Sequence, residues 1–228
     1  MMKKHKRTLL ITSLVILLPA VIGIILWNEL PQQMPIHWGV DGTADGYAGR
    51  AVSIFALPLL LLALQWLGAW VTAHDHRRKM QSDKVFTLVL WLIPAISLLA
   101  NGVVYCAVMG YEPKVENYLA LVLGLLFTVI GNYLPKCRQN NTIGIKIKWT
   151  LENEENWNAT HRLAGRVWMA GGIVILACTL LPQKLSMAIQ LPAALVIAFV
   201  PVIYSYLYHL KQLKAGTAEK QQIGRAHV

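Results

Sequence analysis

Six long apolar stretches, at residues 8–28, 52–73, 85–109, 117–134, 163–181 and 186–208, take up more than half of the chain. A bilayer core about 30 Å thick is crossed by a helix of about 20 apolar residues. Lipid offers no partner to a bare peptide group, so segments of this kind are confined to structures that satisfy their own backbone, and at this length that means helices. The expected class is an all-α integral membrane protein with six transmembrane helices.

The loops carry the second constraint. Of 21 Lys and Arg residues, 17 lie before the first stretch, between the second and third, between the fourth and fifth, or after the sixth, and an eighteenth, Arg166, stands just inside the start of the fifth. The alternate connections hold only Arg50, Lys114 and Lys184. Cytoplasmic loops are the ones enriched in Lys and Arg, so both termini are expected in the cytoplasm, with a short turn-rich extracytoplasmic loop between the first two spans. A net charge of +10 would suggest nucleic acid in a soluble protein. With 56% hydrophobic residues, 14% charged and a mean hydropathy of +0.48, basic loops facing anionic lipid account for it instead. No direct nucleic-acid binding is expected.

Met1 to Arg7 followed by about 20 apolar residues imitates a secretory signal, but the run is too long and no small-x-small cleavage site follows before Trp27. It is expected to be a retained first span. Cys106, Cys137 and Cys178 lie outside the outward loops and imply no disulfide framework, although Cys106 and Cys178 both fall toward outer span ends. Pro19, Pro58, Pro94, Pro192 and Pro201 fall within spans, where neighbouring helices can repair a kink. Ionisable residues inside the spans, the usual mark of a transport path, are essentially missing. Gln65 and Asn101 are the polar exceptions, each suited to an interhelical hydrogen bond. Trp27, Trp70, Tyr111, Tyr118, Tyr133, Trp168, Tyr206 and Tyr208 fall near span ends, as an aromatic belt does. The last six residues, 223–228, have the look of translated sequencing-adaptor DNA at a truncated contig end.

Two loops carry chemistry. The first, Glu29 to Arg50, contains Asp41-Gly42 and Asp45-Gly46, both strong turn signals. It is expected to be compact and non-helical, with His37, Asp41 and Asp45 converging on a small polar site. Asp41, Thr43, Asp45 and Gly46 fit the opening of a calcium loop, but Val52 stands where the bidentate carboxylate belongs. One histidine and no cysteine are too few ligands for zinc. Neither a metal nor a cofactor is expected. His74 and His76, flanking Asp75 beside Arg77, Arg78 and Lys79, fit a solvated helix end.

The second loop runs from Pro135 to Leu163. Asn140-Asn141 marks a turn; Ile143, Ile145, Ile147 and Trp149 then alternate with Gly144, Lys146 and Lys148. That pattern predicts a short strand, or an extended segment on the lipid surface with lysines outward. Thr150 is the expected N-cap of a helix that has Glu152, Glu154 and Glu155 in its first turns and runs through His161 into the fifth span. Glu154, Trp157 and His161 would share a face of it. A carboxylate and a histidine so placed can do acid–base work, but no nucleophile or second histidine accompanies them.

At these two loops the chain resembles the SdpI-type immunity proteins, a bacterial membrane family whose members protect producer cells against the sporulation-delaying protein toxin. Met34-Pro35-Ile36-His37-Trp38 followed by Asp41-Gly42-Thr43-Ala44-Asp45 looks like the N-terminal domain of unknown function found in that family. Gly131-Asn132-Tyr133-Leu134-Pro135-Lys136, then Asn141, Ile143-Gly144-Ile145-Lys146, Trp149-Thr150-Leu151, Asn153-Glu154, Trp157, Thr160-His161-Arg162, Gly165 and Gly171-Gly172 resemble its core signature. Lys146 and Lys148-Trp149 depart from an expected Arg-Thr-x-Trp, keeping charge but losing the guanidinium fork.

The resemblance implies a non-enzymatic protein giving resistance to a secreted membrane-active toxic peptide, which also acts as a receptor holding a winged-helix repressor at the bacterial cell membrane. It implies toxin-binding candidates Pro35, His37, Trp38, Asp41, Gly42 and Asp45 outside. Inside, it implies partner or coupling candidates Asn132, Pro135, Gly144, Lys146, Trp149, Thr150, Glu154, Trp157, Thr160, His161, Arg162 and Gly165. The expected organisation is a two-span unit over residues 1–75 with its loop at 29–51, a four-span unit over 76–210 with the motif at 131–172, and a tail over 211–228. The competing readings are a small peptide or solute transporter, which would need polar groups at mid-membrane, and a membrane enzyme using Glu154 and His161.

Overall fold

The computed structural model describes residues 4–39, 42–75, 83–111 and 115–226. The described chain runs α1 (Lys6–Ile25), β1 (Gln33–Trp38), β2 (Ala44–Gly49), α2 (Arg50–His74), α3 (Asp83–Val108), α4 (Val115–Tyr133), a short α5 (Lys148–Glu152), α6 (Glu154–Ala177) and α7 (Gln183–Ala226). Six of these helices are long and apolar enough to cross a membrane, in the places the apolar stretches predict. Their outward faces carry large bare side chains such as Leu14, Ile25, Leu191 and Phe199. In water such a surface would drive aggregation; in a bilayer it meets its own kind.

The helices pack as two groups of three. α1 lies on α2 and α3, and α6 lies between α4 and α7, while α3 and α4 meet only lightly. In the first group Gln65 Nε2 reaches Thr12 Oγ1 (2.9 Å) and Ser13 Oγ (3.3 Å), the interhelical bond expected of it. Ser97 and Tyr105 of α3 donate to the carbonyls of Ile16 and Pro19 in α1, at 2.9 and 2.6 Å. Asn101 departs from expectation: its amide nitrogen bonds Ser97 O within α3 (2.8 Å), not a neighbouring helix.

In the second group small residues set the approach. Gly124 and Gly131 on α4 face Gly172 and Gly165 on α6, and the sevenfold spacing keeps each pair on one helix face. A Cβ on Gly131 would come within 2.6 Å of Met169 N and 2.9 Å of Gly165 O. Backbones this close exchange van der Waals contact along their length, which is what holds helices together where burial from water gives nothing. Trp168 sits mid-helix in α6, not at a span end as the belt reading had it. Its indole donates to Ile197 O of α7 (3.0 Å), and its ring meets Phe127 edge-on at 5.3 Å.

Alternation of direction gathers the connections at two ends. His5, Asp75, Asp83, residues 134–153 and Gln212 share one end, through bonds such as His5–Asp83 (3.0 Å) and Gln212 Nε2–Glu155 Oε2 (3.2 Å). The β1–β2 hairpin sits at the other, with Leu30 and Met34 packed on Ile54 and Ala20. A cavity opens along the α3–α4 seam at each end, about 590 Å³ at the hairpin end and about 250 Å³ at the other.

Candidate functional site

The end opposite the hairpin is a loop built around buried polar side chains; it is called the motif end here. α4 runs into a 3₁₀ turn at Leu134–Lys136, and the chain then folds back over α6. Asn140, fully buried, makes the turn that the Asn140-Asn141 pair predicts. Its Oδ1 accepts from Thr142 N (2.8 Å) and Ile143 N (2.7 Å), while its Nδ2 donates to Arg138 O (2.8 Å) and Ile143 O (2.9 Å). The chain bends at Ile143 and Gly144 and is extended at Ile147, with Lys146 exposed, and α5 takes over from Lys148. The expected strand does not form, and Ile143 packs against the buried Cys137 and Trp157.

Thr150 is not the cap of the long helix. It lies inside α5, buried, accepting from Ile147 N (3.1 Å) and donating back to Ile145 O (2.8 Å). Asn153 breaks the chain between α5 and α6 and caps α6, with its Oδ1 accepting from Asn156 N (2.8 Å). The acidic first turn is Glu154 and Glu155, suited to the helix N-terminus. Asn153 is as good an N-cap type as Thr150, and Gln139, buried, holds the α5 carbonyls of Thr150 (2.7 Å) and Leu151 (3.0 Å) just before it.

Trp157 and His161 stack at 4.0 Å, 18° from parallel, and both are almost wholly buried. Trp157 Nε1 donates to Cys137 O (2.7 Å). His161 Nε2 accepts from Ile145 N (3.0 Å), so Nδ1 carries the proton and donates to Trp157 O (2.8 Å). Both ring nitrogens of this neutral imidazole are thereby committed to backbone. Glu154 is exposed and bonds neither aromatic. The expected shared face thus brings Trp157 and His161 together and leaves Glu154 out. Gly144 lies against this pair with φ +122, where a Cβ would stand 2.5 Å from His161 Nε2. Glycine serves there both for its backbone freedom and for its lack of bulk.

Asp75 corrects another expectation. It is buried, not solvated: its carboxylate accepts from Asn141 N (2.9 Å), Asn141 Nδ2 (3.1 Å) and Thr142 Oγ1 (2.5 Å). An acid at a helix C-terminus opposes the helix dipole, and these donors offset that. His74 bonds Trp70 O (2.8 Å); His76 lies outside the described residues. Asn156, Thr160 and Ser205 form a second buried network, with Asn156 Oδ1 accepting from both hydroxyls (2.9 and 2.8 Å) and Nδ2 reaching Ser205 O (2.9 Å). Burial pushes the Cys137 thiol up to about 11, against the opposing bond from Asn140. The three cysteines are free thiols.

Of the inner candidates, Thr150, Trp157, Thr160, His161 and Gly165 are buried and build the loop, and Gly144 and Trp149 are half-buried. Asn132, Pro135, Lys146, Glu154 and Arg162 are exposed and available to a partner.

At the other end, β1 and β2 pair antiparallel through Gln33↔Gly49, Met34↔Ala48, Pro35↔Tyr47, His37↔Gly46 and Trp38↔Ala44, with irregularities on both sides of His37. Turn signals alone did not announce these strands. Asp45-Gly46 lies in β2 instead of forming a turn, and Gly46 is needed because a Cβ would approach that of His37 to 2.8 Å. The tip turns at Gly42, with φ +80 and its N–H on Gly39 O (3.0 Å). Arg50 latches the base by donating to Trp27 O (2.6 Å) and Pro31 O (3.2 Å) across the Trp27 ring. Of the expected polar site, His37 Nδ1 and Asp45 Oδ1 meet at 2.5 Å, both exposed. Asp41 lies outside the described residues. Pro35 is buried, and Trp38 turns to the opposite side of the strand from His37, where it lines the larger cavity.

Comparison with known proteins finds relatives for both ends. Residues 136–205 match the SdpI/YfhL protein family, and residues 14–62 match a domain of unknown function, DUF1648. The immunity protein SdpI of Bacillus subtilis (strain 168) is 23% identical over 215 residues, covering 92% of this chain and 98% of that protein. Over residues 136–205 the chain is similar to the SdpI/YfhL protein family. The SdpI/YfhL match spans the loop that Asn140, Trp157 and His161 hold together, and then the α6–α7 pair. The DUF1648 match spans most of α1, the hairpin and the first half of α2. With six helices long and apolar enough to cross a bilayer, it is a multi-pass protein of the bacterial cell membrane in contact with lipid. No solved structure matches it.

Proposed function

We propose that the protein is a non-enzymatic immunity protein, giving the cell resistance to a secreted membrane-active toxic peptide. The observation that carries this is the end-to-end likeness to the Bacillus subtilis immunity protein, over 92% of one chain and 98% of the other. The charge segregation supports the hairpin end facing outward, where a secreted peptide arrives, and the basic motif end facing the cytoplasm. His161 supports a binding role over an acid–base one: buried beneath Trp157, with both nitrogens bonded to backbone, it has no lone pair or proton to offer a substrate.

In this reading the motif end also meets a cytoplasmic partner of the winged-helix repressor kind, through exposed Asn132, Lys146, Glu154 and Arg162. Toxin binding outside shifts the population of a helix arrangement that the partner recognises, which requires tighter toxin binding to one arrangement than to the other. The lightly packed α3–α4 seam is the place where two three-helix groups can move against each other.

The test is expression in a toxin-sensitive bacterium challenged with the sporulation-delaying toxin peptide. Expressing cells are expected to survive doses that kill the control. Equal killing, together with no binding of the peptide by purified protein, overturns the proposal.

A further inference from the structure

The larger cavity has features of a binding site that neither family match names. Its walls come from four elements: Ile36 and Trp38 of the hairpin, Leu57 of α2, Asn101 and Val104 of α3, and Tyr118 of α4. Its 590 Å³ falls within the roughly 300–1,000 Å³ of sites that hold ligands, and the lining is predominantly apolar with a few polar groups, as such sites are.

The polar groups decide what fits. Asn101 is 3% exposed. Its amide nitrogen is fixed by the bond to Ser97 O, which leaves the oxygen as an acceptor that no described residue satisfies. The Trp38 indole N–H and the Tyr118 hydroxyl, on the same cavity, also bond no described residue. Asn101 lies seven residues before the end of α3, about 10 Å below the hairpin end at 1.5 Å per residue. A lipid acyl chain fills the space but offers no donor. A peptide segment offers apolar side chains for the walls, N–H groups for Asn101 and carbonyls for Trp38 and Tyr118.

We infer that this cavity is the receiving site for an apolar segment of a membrane-inserted peptide, bound by its side chains against Leu57 and Val104 and by its backbone at Asn101. This rests on the immunity reading and deepens it. The hairpin contributes through Trp38 and Ile36, on the bundle-facing side of β1, and the exposed His37–Asp45 pair on the other side is not part of the site.

The test uses the full chain in phosphatidylethanolamine–phosphatidylglycerol nanodiscs, with the sporulation-delaying toxin peptide as probe. A photo-crosslinking residue replaces Leu57 in the cavity or Leu14, which is 70% exposed on α1. Two further variants, Asn101→Leu and the cavity-filling Ala100→Phe, are checked for unchanged thermal unfolding. The expected results are peptide crosslinks from position 57 and none from position 14, with at least tenfold weaker peptide binding in any stably folded variant of the two. Crosslinks at position 57 to phospholipid alone under saturating peptide, or to a second copy of the chain, overturn the site. Unchanged affinity in both variants overturns the site while the immunity reading stands. No peptide binding by the unaltered protein overturns both.

Discussion

The two ends of the bundle spend their polar groups differently. At the motif end, Asn140, Thr150, Asn156, Trp157 and His161 are buried with their donors and acceptors engaged inside the chain. At the hairpin end, His37 and Asp45 meet in solvent, while Asn101, Trp38 and Tyr118 keep unused capacity around a cavity. The first end is finished as a structure, and only its exposed rim is free to recognise anything. The second is unfinished, and a ligand can complete it. A long run of unusual residues therefore need not be the binding surface; at the motif end it is mainly what holds the loop between α4 and α6 together.

The largest predicted effects break the finished end. Trp157→Ala removes a buried aromatic, unstacks His161 and leaves the Cys137 carbonyl without its donor; about 3–5 kcal/mol of destabilisation is expected, read as thermal unfolding in detergent. Gly144→Ala belongs beside it, since φ +122 and a 2.5 Å approach to His161 Nε2 leave no place for a methyl group. A loss above about 2 kcal/mol is expected from strain alone. If either variant melts like the parent, the motif end is not a rigid framework and the contrast between the ends fails.

The bundle was legible because bilayer thickness and charge bias act on composition, which a single chain displays. The Asn140 turn was legible for a local reason, since its side chain bonds backbone two and three residues on. Asp75 was not. Its donors lie 66 and 67 residues away, and beside three cations its sequence neighbourhood resembles a wet helix end. The α6 cap was misplaced because Thr150 and Asn153 have equal local claims. The hairpin was hidden by the glycines of β2, in which Asp45-Gly46 carries a turn signature in a position facing His37. The cavity had no signal at all, since apolar residues that line a hole and apolar residues that face lipid are the same letters.

A middle-sized effect sharpens the contrast through the thiol of Cys137. With its pKa at about 11, against about 8.5 for a free cysteine, it carries on the order of 100-fold less thiolate near pH 8. Alkylation of the native protein by iodoacetamide at pH 8 is expected to spare Cys137, while Trp157→Ala restores its labelling. The sign of the linked stability follows. The folded state holds the proton that the unfolded chain releases from about pH 8.5 upward, so this contribution is intact below that pH and is lost as pH rises toward 11. Fast labelling of Cys137 in the unaltered protein means that the loop opens readily and is not the closed end.

The smallest effect belongs to His37 and Asp45, and its smallness is the point. The pair is short, at 2.5 Å, yet its side chains are 72% and 50% exposed, so water competes for both partners. Exposed pairs of this kind contribute about 0.2–1 kcal/mol, and the hairpin has other supports in Arg50, Met34 and Leu30. His37→Ala and Asp45→Ala are each expected to lower the unfolding midpoint only slightly and to leave peptide binding within about twofold, whereas Asn101→Leu weakens it at least tenfold. The reverse order, with the exposed pair dominating, would move recognition from the cavity to the solvent face of the hairpin. That order would also give β1 a different purpose: Trp38 would then be packing, and His37, on the other side of the same strand, would be the contact.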